Sequence, residues 1–128
     1  MDAAKDVLEL MEPGEAPLYI VFGPWGWGSA PTDGEGWRGG YSEPGCDEDD
    51  GQSPPVPFAL RGKLLPWNEA TPFMAGWSFH GGYGSPACYA VYIWTDRRVF
   101  WVTQYDGATE LDYAPTVPAA CMPNMPGG

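Results

Sequence analysis

Positive charge is scarce in this sequence: Lys and Arg number 6 against 17 Asp and Glu, a formal net charge of -11 over 128 residues. Such a chain repels phosphate backbones and anionic membrane surfaces within a Debye length, about 8 Å at physiological salt, which disfavours direct nucleic-acid binding and favours a partner with a basic surface. Charge that serves solubility alone is the competing reading. Cysteine is equally sparse. Cys46, Cys88 and Cys121 leave one over after any pairing, so no disulfide framework is expected and a reducing cytoplasm is the expected setting. No apolar run is long enough to span a bilayer, and the N-terminus lacks a basic region followed by an apolar stretch, so no membrane contact is expected. Glycine (18) and proline (15) are abundant, yet an aromatic content of 15% argues against disorder. A single, loop-rich folded domain follows.

The clearest regular structure lies between Ala87 and Ala114. Runs rich in β-branched and aromatic residues are separated by Thr95-Asp96-Arg97-Arg98 and by Asp106-Gly107-Ala108, the pattern of a three-stranded antiparallel meander. A turn at Asp96-Arg97 places Trp94 opposite Val99, Ile93 opposite Phe100 and Val91 opposite Val102. The Asp106-Gly107 turn then places Val102 opposite Leu111 and Phe100 opposite Tyr113. One sheet face is predicted to be uniformly apolar. The other carries Tyr92, Trp94, Val99 and Trp101 and turns polar through Thr103, Glu110 and Asp112.

The predicted class is α+β: an antiparallel sheet of about four to six strands, one N-terminal helix and a long loop. Residues 2–12 read as that helix, with Ala3, Ala4, Val7, Leu8 and Met11 on one stripe, Asp2 as cap and Pro13-Gly14 as stop. Residues 18–22 form an apolar run without alternation, expected as a near-central strand covered on both sides. Residues 23–57 form a Gly- and Pro-rich loop bearing Trp25, Trp27, Trp37 and Tyr41; its tryptophans either anchor it over the Tyr92, Trp94, Trp101 face or form a recognition surface. The β-rich core is expected over 58–114, with an edge strand over 58–67 on which Phe58, Leu60 and Leu64 alternate around the guarding Arg61 and Lys63, an irregular helical turn over 67–75 broken by Pro72, and a short strand over Trp77–Phe79. Residues 115–128 form an extended tail.

Specific chemistry is harder to find. Asp47, Glu48, Asp49 and Asp50 precede Gly51, but the glycine comes one residue early for a calcium loop and Phe58 stands where a bidentate glutamate belongs, so a solvated acidic loop is expected. His80, the sole histidine, and Cys88 form a conceivable base and nucleophile, with no local signature and no orienting third group. Cys46, His80, Cys88 and Cys121 match a zinc site in number and not in spacing. Gly81 to Ser85 lacks the lysine of a phosphate-binding loop. No catalytic residue, metal or cofactor is therefore assigned.

Trp94-Thr95-Asp96, Tyr105-Asp106-Gly107-Ala108-Thr109, Leu111 and Pro115 resemble small acidic proteins of uncharacterised function encoded by actinobacterial phages, over about the last third of the chain; Pro115-Thr116-Val117-Pro118 departs from the Pro-Arg-Asn-Pro of those relatives. The resemblance implies a phage setting and no activity. With the charge, it leads to the expectation of a non-enzymatic protein in the host cytoplasm that binds and inhibits or diverts a host protein, with a defence or nucleic-acid enzyme as the candidate class. The expected contact residues are Asp47, Glu48, Asp49, Asp50, Trp25, Trp27, Trp37, Tyr92, Trp94 and Trp101. A binder of a nucleotide signal, using Arg38, Arg97 and Arg98 to hold phosphate, is the alternative, and a small enzyme using His80 and Cys88 the third. The oligomeric state is left open.

Overall fold

A computed structural model describes residues 2–25, 54–79, 88–105 and 108–123. Its centre is one antiparallel sheet of five strands in the order β2-β1-β3-β4-β5, formed by β1 (Pro17–Trp25), β2 (Leu65–Pro66), β3 (Tyr89–Thr95), β4 (Arg98–Tyr105) and β5 (Ala108–Pro115). Helix α1 (Ala3–Glu9), helix α2 (Trp67–Ala70) and 3-10 turns at Phe58–Leu60 and Thr71–Phe73 complete the α+β architecture. Among the described residues no helix is long and apolar enough to cross a membrane.

The meander has the predicted register: Ile93 pairs with Phe100, Trp94 with Val99, Val102 with Leu111 and Phe100 with Tyr113. Strand β1 docks on the free side of β3, placing Ile20 beside Ile93 and Phe22 beside Val91. Pleating sends Ile20, Phe22, Tyr89, Val91, Ile93 and Phe100 to one face, where all are buried, and Val102 and Leu111 pack against them half-buried. The other edge is only two residues long and contains Pro66, which has no amide to donate; both features discourage pairing with another chain.

Asp2 caps α1 as expected, its carboxylate accepting from the Ala4 and Lys5 amides at 3.0 and 3.4 Å. Ala3, Ala4 and Val7 are buried while Leu8 is half exposed, so the contact stripe is narrower than predicted: each residue turns about 100° around the axis, and with Val7 facing the core Leu8 swings outward. So short a helix persists through tertiary fastening. The Asp6 carboxylate accepts from the Ser78 hydroxyl at 2.7 Å and the Phe79 amide at 3.1 Å, and the Ala3 amide donates to the Met74 carbonyl.

Several expectations are corrected. Strand β1 is not covered on both sides, because Leu18 and Tyr19 are exposed, and it extends through Trp25 into the stretch expected to be loop. Of the edge strand expected over 58–67 only Leu65–Pro66 pairs, as β2 at the sheet edge. Residues 58–64 do not, since Phe58 and Leu64 are exposed and the Arg61 guanidinium folds back to donate to the Val56 carbonyl and lie 5.3 Å from the Tyr89 ring. Trp77–Phe79 is buried without being a strand, since its polar partners are side chains: Asp6 takes the Phe79 amide and the Thr109 hydroxyl donates to the Phe79 carbonyl at 2.8 Å. The helical turn near 67–75 and its Pro72 are present as α2 and the 3-10 turn after it. The tail is exposed from Thr116 to Pro123.

The inner face is not uniformly apolar. At its hairpin end the Arg98 guanidinium donates to both carboxylate oxygens of the fully buried Glu15 side chain and, at 2.8 Å, to the Leu10 carbonyl. It lies 4.7 Å from the Phe100 ring centroid and 4.6 Å from that of Tyr113. The Thr95 hydroxyl donates to Glu15 at 2.6 Å and accepts from the Arg97 and Arg98 amides, fastening the turn to the segment after α1. The Arg98 hydrogen bonds hold the Glu15 carboxyl down at about 2, against the upward push of burial, and Glu15 raises Arg98 in return.

Candidate functional site

The outer face follows from the same register. Val21 pairs with Tyr92, Tyr92 with Trp101 and Trp101 with Asp112, so one row crosses four strands from an aliphatic group through two aromatic rings to a carboxylate. The neighbouring row is Tyr19, Trp94, Val99 and Ala114. Tyr92 is 56% exposed and Tyr19 43%, Trp94 and Trp101 are half-buried, and the Tyr92 and Trp94 rings lie 5.9 Å apart. Three of the predicted contact residues, Tyr92, Trp94 and Trp101, therefore share one surface.

Beside this row the face sinks into a groove of about 660 Å³ whose lining includes Val21, Gly23, Pro24, Gly62, Ala90, Tyr92 and Trp101. Its depth comes from small residues facing each other across strands. A Cβ added at Gly23 would stand 3.1 Å from the Ala90 Cβ, so the two positions hold no bulk between them. The register between β1 and β3 shifts between Phe22 and Trp25, which bends β1 there, and the Gly62 amide bonds the Phe22 carbonyl at 2.8 Å. A groove of this size accepts a small ligand or a few peptide residues.

At the far end of the row the Asp112 carboxylate accepts the Tyr113 amide at 2.8 Å; the residue is 5% exposed and has no cationic partner among the described residues. Glu110 is exposed on the same face, opposite Thr103. The face thus joins an apolar, aromatic floor to an acidic margin.

Trp25 is not part of this surface, which corrects its assignment as a contact residue. It is 2% exposed, with its ring 4.9 Å from Tyr89 and 6.0 Å from Trp77 in edge-on contacts. The bend in β1 turns it to the inner face, where the apolar cluster of Phe22, Trp77, Phe79 and Tyr89 receives it. Trp27, Trp37, Asp47, Glu48, Asp49, Asp50 and His80 lie outside the described residues, as does the Asp106-Gly107 turn. Cys88 is buried, and desolvation pushes its thiol up to about 12, the opposite of an activated nucleophile. Among the described residues no three His, Cys, Asp or Glu side chains group to hold a metal.

Gly23, Ala90 and Val21 were not legible as site residues, because a groove of small side chains becomes visible only once the β1–β3 pairing is known. Comparison with family models, with curated proteins and with solved structures finds no match to this chain.

Proposed function

We propose that this is a non-enzymatic binding protein that engages a host protein with a basic surface and inhibits or diverts it, within the phage setting that the C-terminal resemblance implies. The observation that carries the reading is the aromatic groove on the outer face of a protein with a net charge of -11. Aromatic groups recessed in a groove supply anchoring area at low entropic cost, and surplus acidic charge steers a basic partner toward it. The nucleotide reading draws less support, since Arg97 pairs with Glu12 and Asp96, and Arg98 with Glu15, at the hairpin end of the sheet. The enzyme reading draws less again from a thiol with its protonated form favoured.

Capture of the tagged protein's partner from an actinobacterial host, followed by association kinetics against salt, tests the proposal. Changing Asp47, Glu48, Asp49 and Asp50 to Asn and Gln should slow association and flatten its salt response, with thermal stability nearly unchanged. A partner that binds the neutralised protein at the original rate and salt dependence removes the acidic cluster from the contact. A host in which no specific partner is recovered removes the proposal.

A further inference from the structure

Resting on that binding reading, we infer that the groove seats an extended segment of the partner and that an arginine of that segment lies across Tyr92 and Trp101 with its guanidinium toward Asp112. The inner face of the same sheet shows what such a set of groups holds. There Arg98 lies within 4.7 Å of the cross-strand ring pair Phe100 and Tyr113 and bonds the Glu15 carboxylate. The outer face repeats the set with Tyr92 and Trp101 as the cross-strand ring pair and Asp112 as the carboxylate next in the row, and no described Lys or Arg pairs with that carboxylate.

Charge and shape point to the same occupant. Asp112 is 5% exposed and its carboxylate accepts the Tyr113 amide, which leaves acceptor capacity for the donors of a cation brought by a partner. Arginine suits the site better than lysine, because a planar guanidinium stacks on ring faces and meets a carboxylate with paired donors. The groove spans β1, β3 and β4, roughly 10 Å at about 4.8 Å per strand, which an extended peptide crosses in about three residues. Glu110, exposed beside Asp112, adds attraction for flanking basic residues.

The test uses a blocked hexapeptide of alternating arginine and alanine, with lysine and glutamate counterparts, titrated into the full-length protein while amide and indole resonances are followed by NMR. The arginine peptide should shift Gly23, Ala90, Tyr92 and Trp101 at concentrations roughly tenfold below those its lysine counterpart requires, and the glutamate peptide should shift none of them. Tyr92→Ala, at an exposed position, and Ala90→Leu, which fills the groove from its floor, should each abolish the arginine response; dispersed spectra of the first variant control for folding. Equal response to arginine and lysine, or an undiminished response in Tyr92→Ala, overturns the inference. Capture of the host partner unchanged by both variants overturns it too, and leaves the broader binding proposal standing.

Discussion

Replacing Glu15 with Gln keeps the shape of a buried side chain and removes the charge that Arg98 is built around. The wild-type carboxyl is held at about 2 in the fold against an ordinary 4.5. Because folding depresses it, its contribution to stability is complete above about pH 4.5 and is lost as the pH falls through about 2. At about 1.4 kcal/mol for each pH unit, the depression corresponds to roughly 3 kcal/mol at neutral pH. A similar figure, about 3 to 5 kcal/mol, follows from leaving a buried guanidinium without its counter-charge. Urea unfolding of both proteins at steps between pH 7 and 3 provides the assay. The stability gap between them should be widest at pH 7 and narrow as acid removes the wild type's advantage. A gap that stays constant with pH, or one below about 0.5 kcal/mol at neutrality, the range of ordinary surface substitutions, would refute the role given to this ion pair.

Three further outcomes follow from the packing. Val102→Ala should destabilise by about 1 kcal/mol in chemical denaturation, the lower part of the range for a lost pair of methyls, because Val102 packs on the core half-buried. Asp6→Ala should cost about 1 to 3 kcal/mol by the same measurement and increase amide exchange in α1, as it leaves the Ser78 hydroxyl and the Phe79 amide without that acceptor. Alkylation near neutral pH, read by mass spectrometry, should modify exposed Cys121 readily and Cys88 only on unfolding, since burial keeps the Cys88 thiol protonated.

The parts of the fold that were legible are those governed by local rules. Turn length and period-two alternation sufficed for the pairing of Ile93 with Phe100 and of Val102 with Leu111, and Asp2 followed by an apolar stripe sufficed for the start of α1. Those rules do not reach the partner of a distant charge. Arg98 flanks a hairpin turn, where charge is ordinarily solvated, and is buried because Glu15, 83 residues away in sequence, meets it inside. Trp25 followed the composition of its neighbours into a loop, whereas the bend in β1 turns it into the aromatic cluster around Tyr89. For the candidate site, alternation was enough to group Tyr92, Trp94 and Trp101 on one face and to note the turn to Asp112. The groove itself needed the pairing of β1 with β3, which sets Gly23 against Ala90 across the sheet.

The central claim, that the outer face is where this protein meets its partner, is tested most directly by hydroxyl-radical footprinting of the captured complex. Tyr92 and Tyr19 are exposed in the free protein, Trp94 and Trp101 half so, and Tyr113 stands 52% exposed at the inner, hairpin end as an internal reference. The account predicts that partner binding suppresses oxidation of Tyr92, Trp94 and Trp101 while Tyr113 reacts as before. Unchanged oxidation of Tyr92 and Trp101 in a saturated complex, with protection at Tyr113 instead, would contradict it.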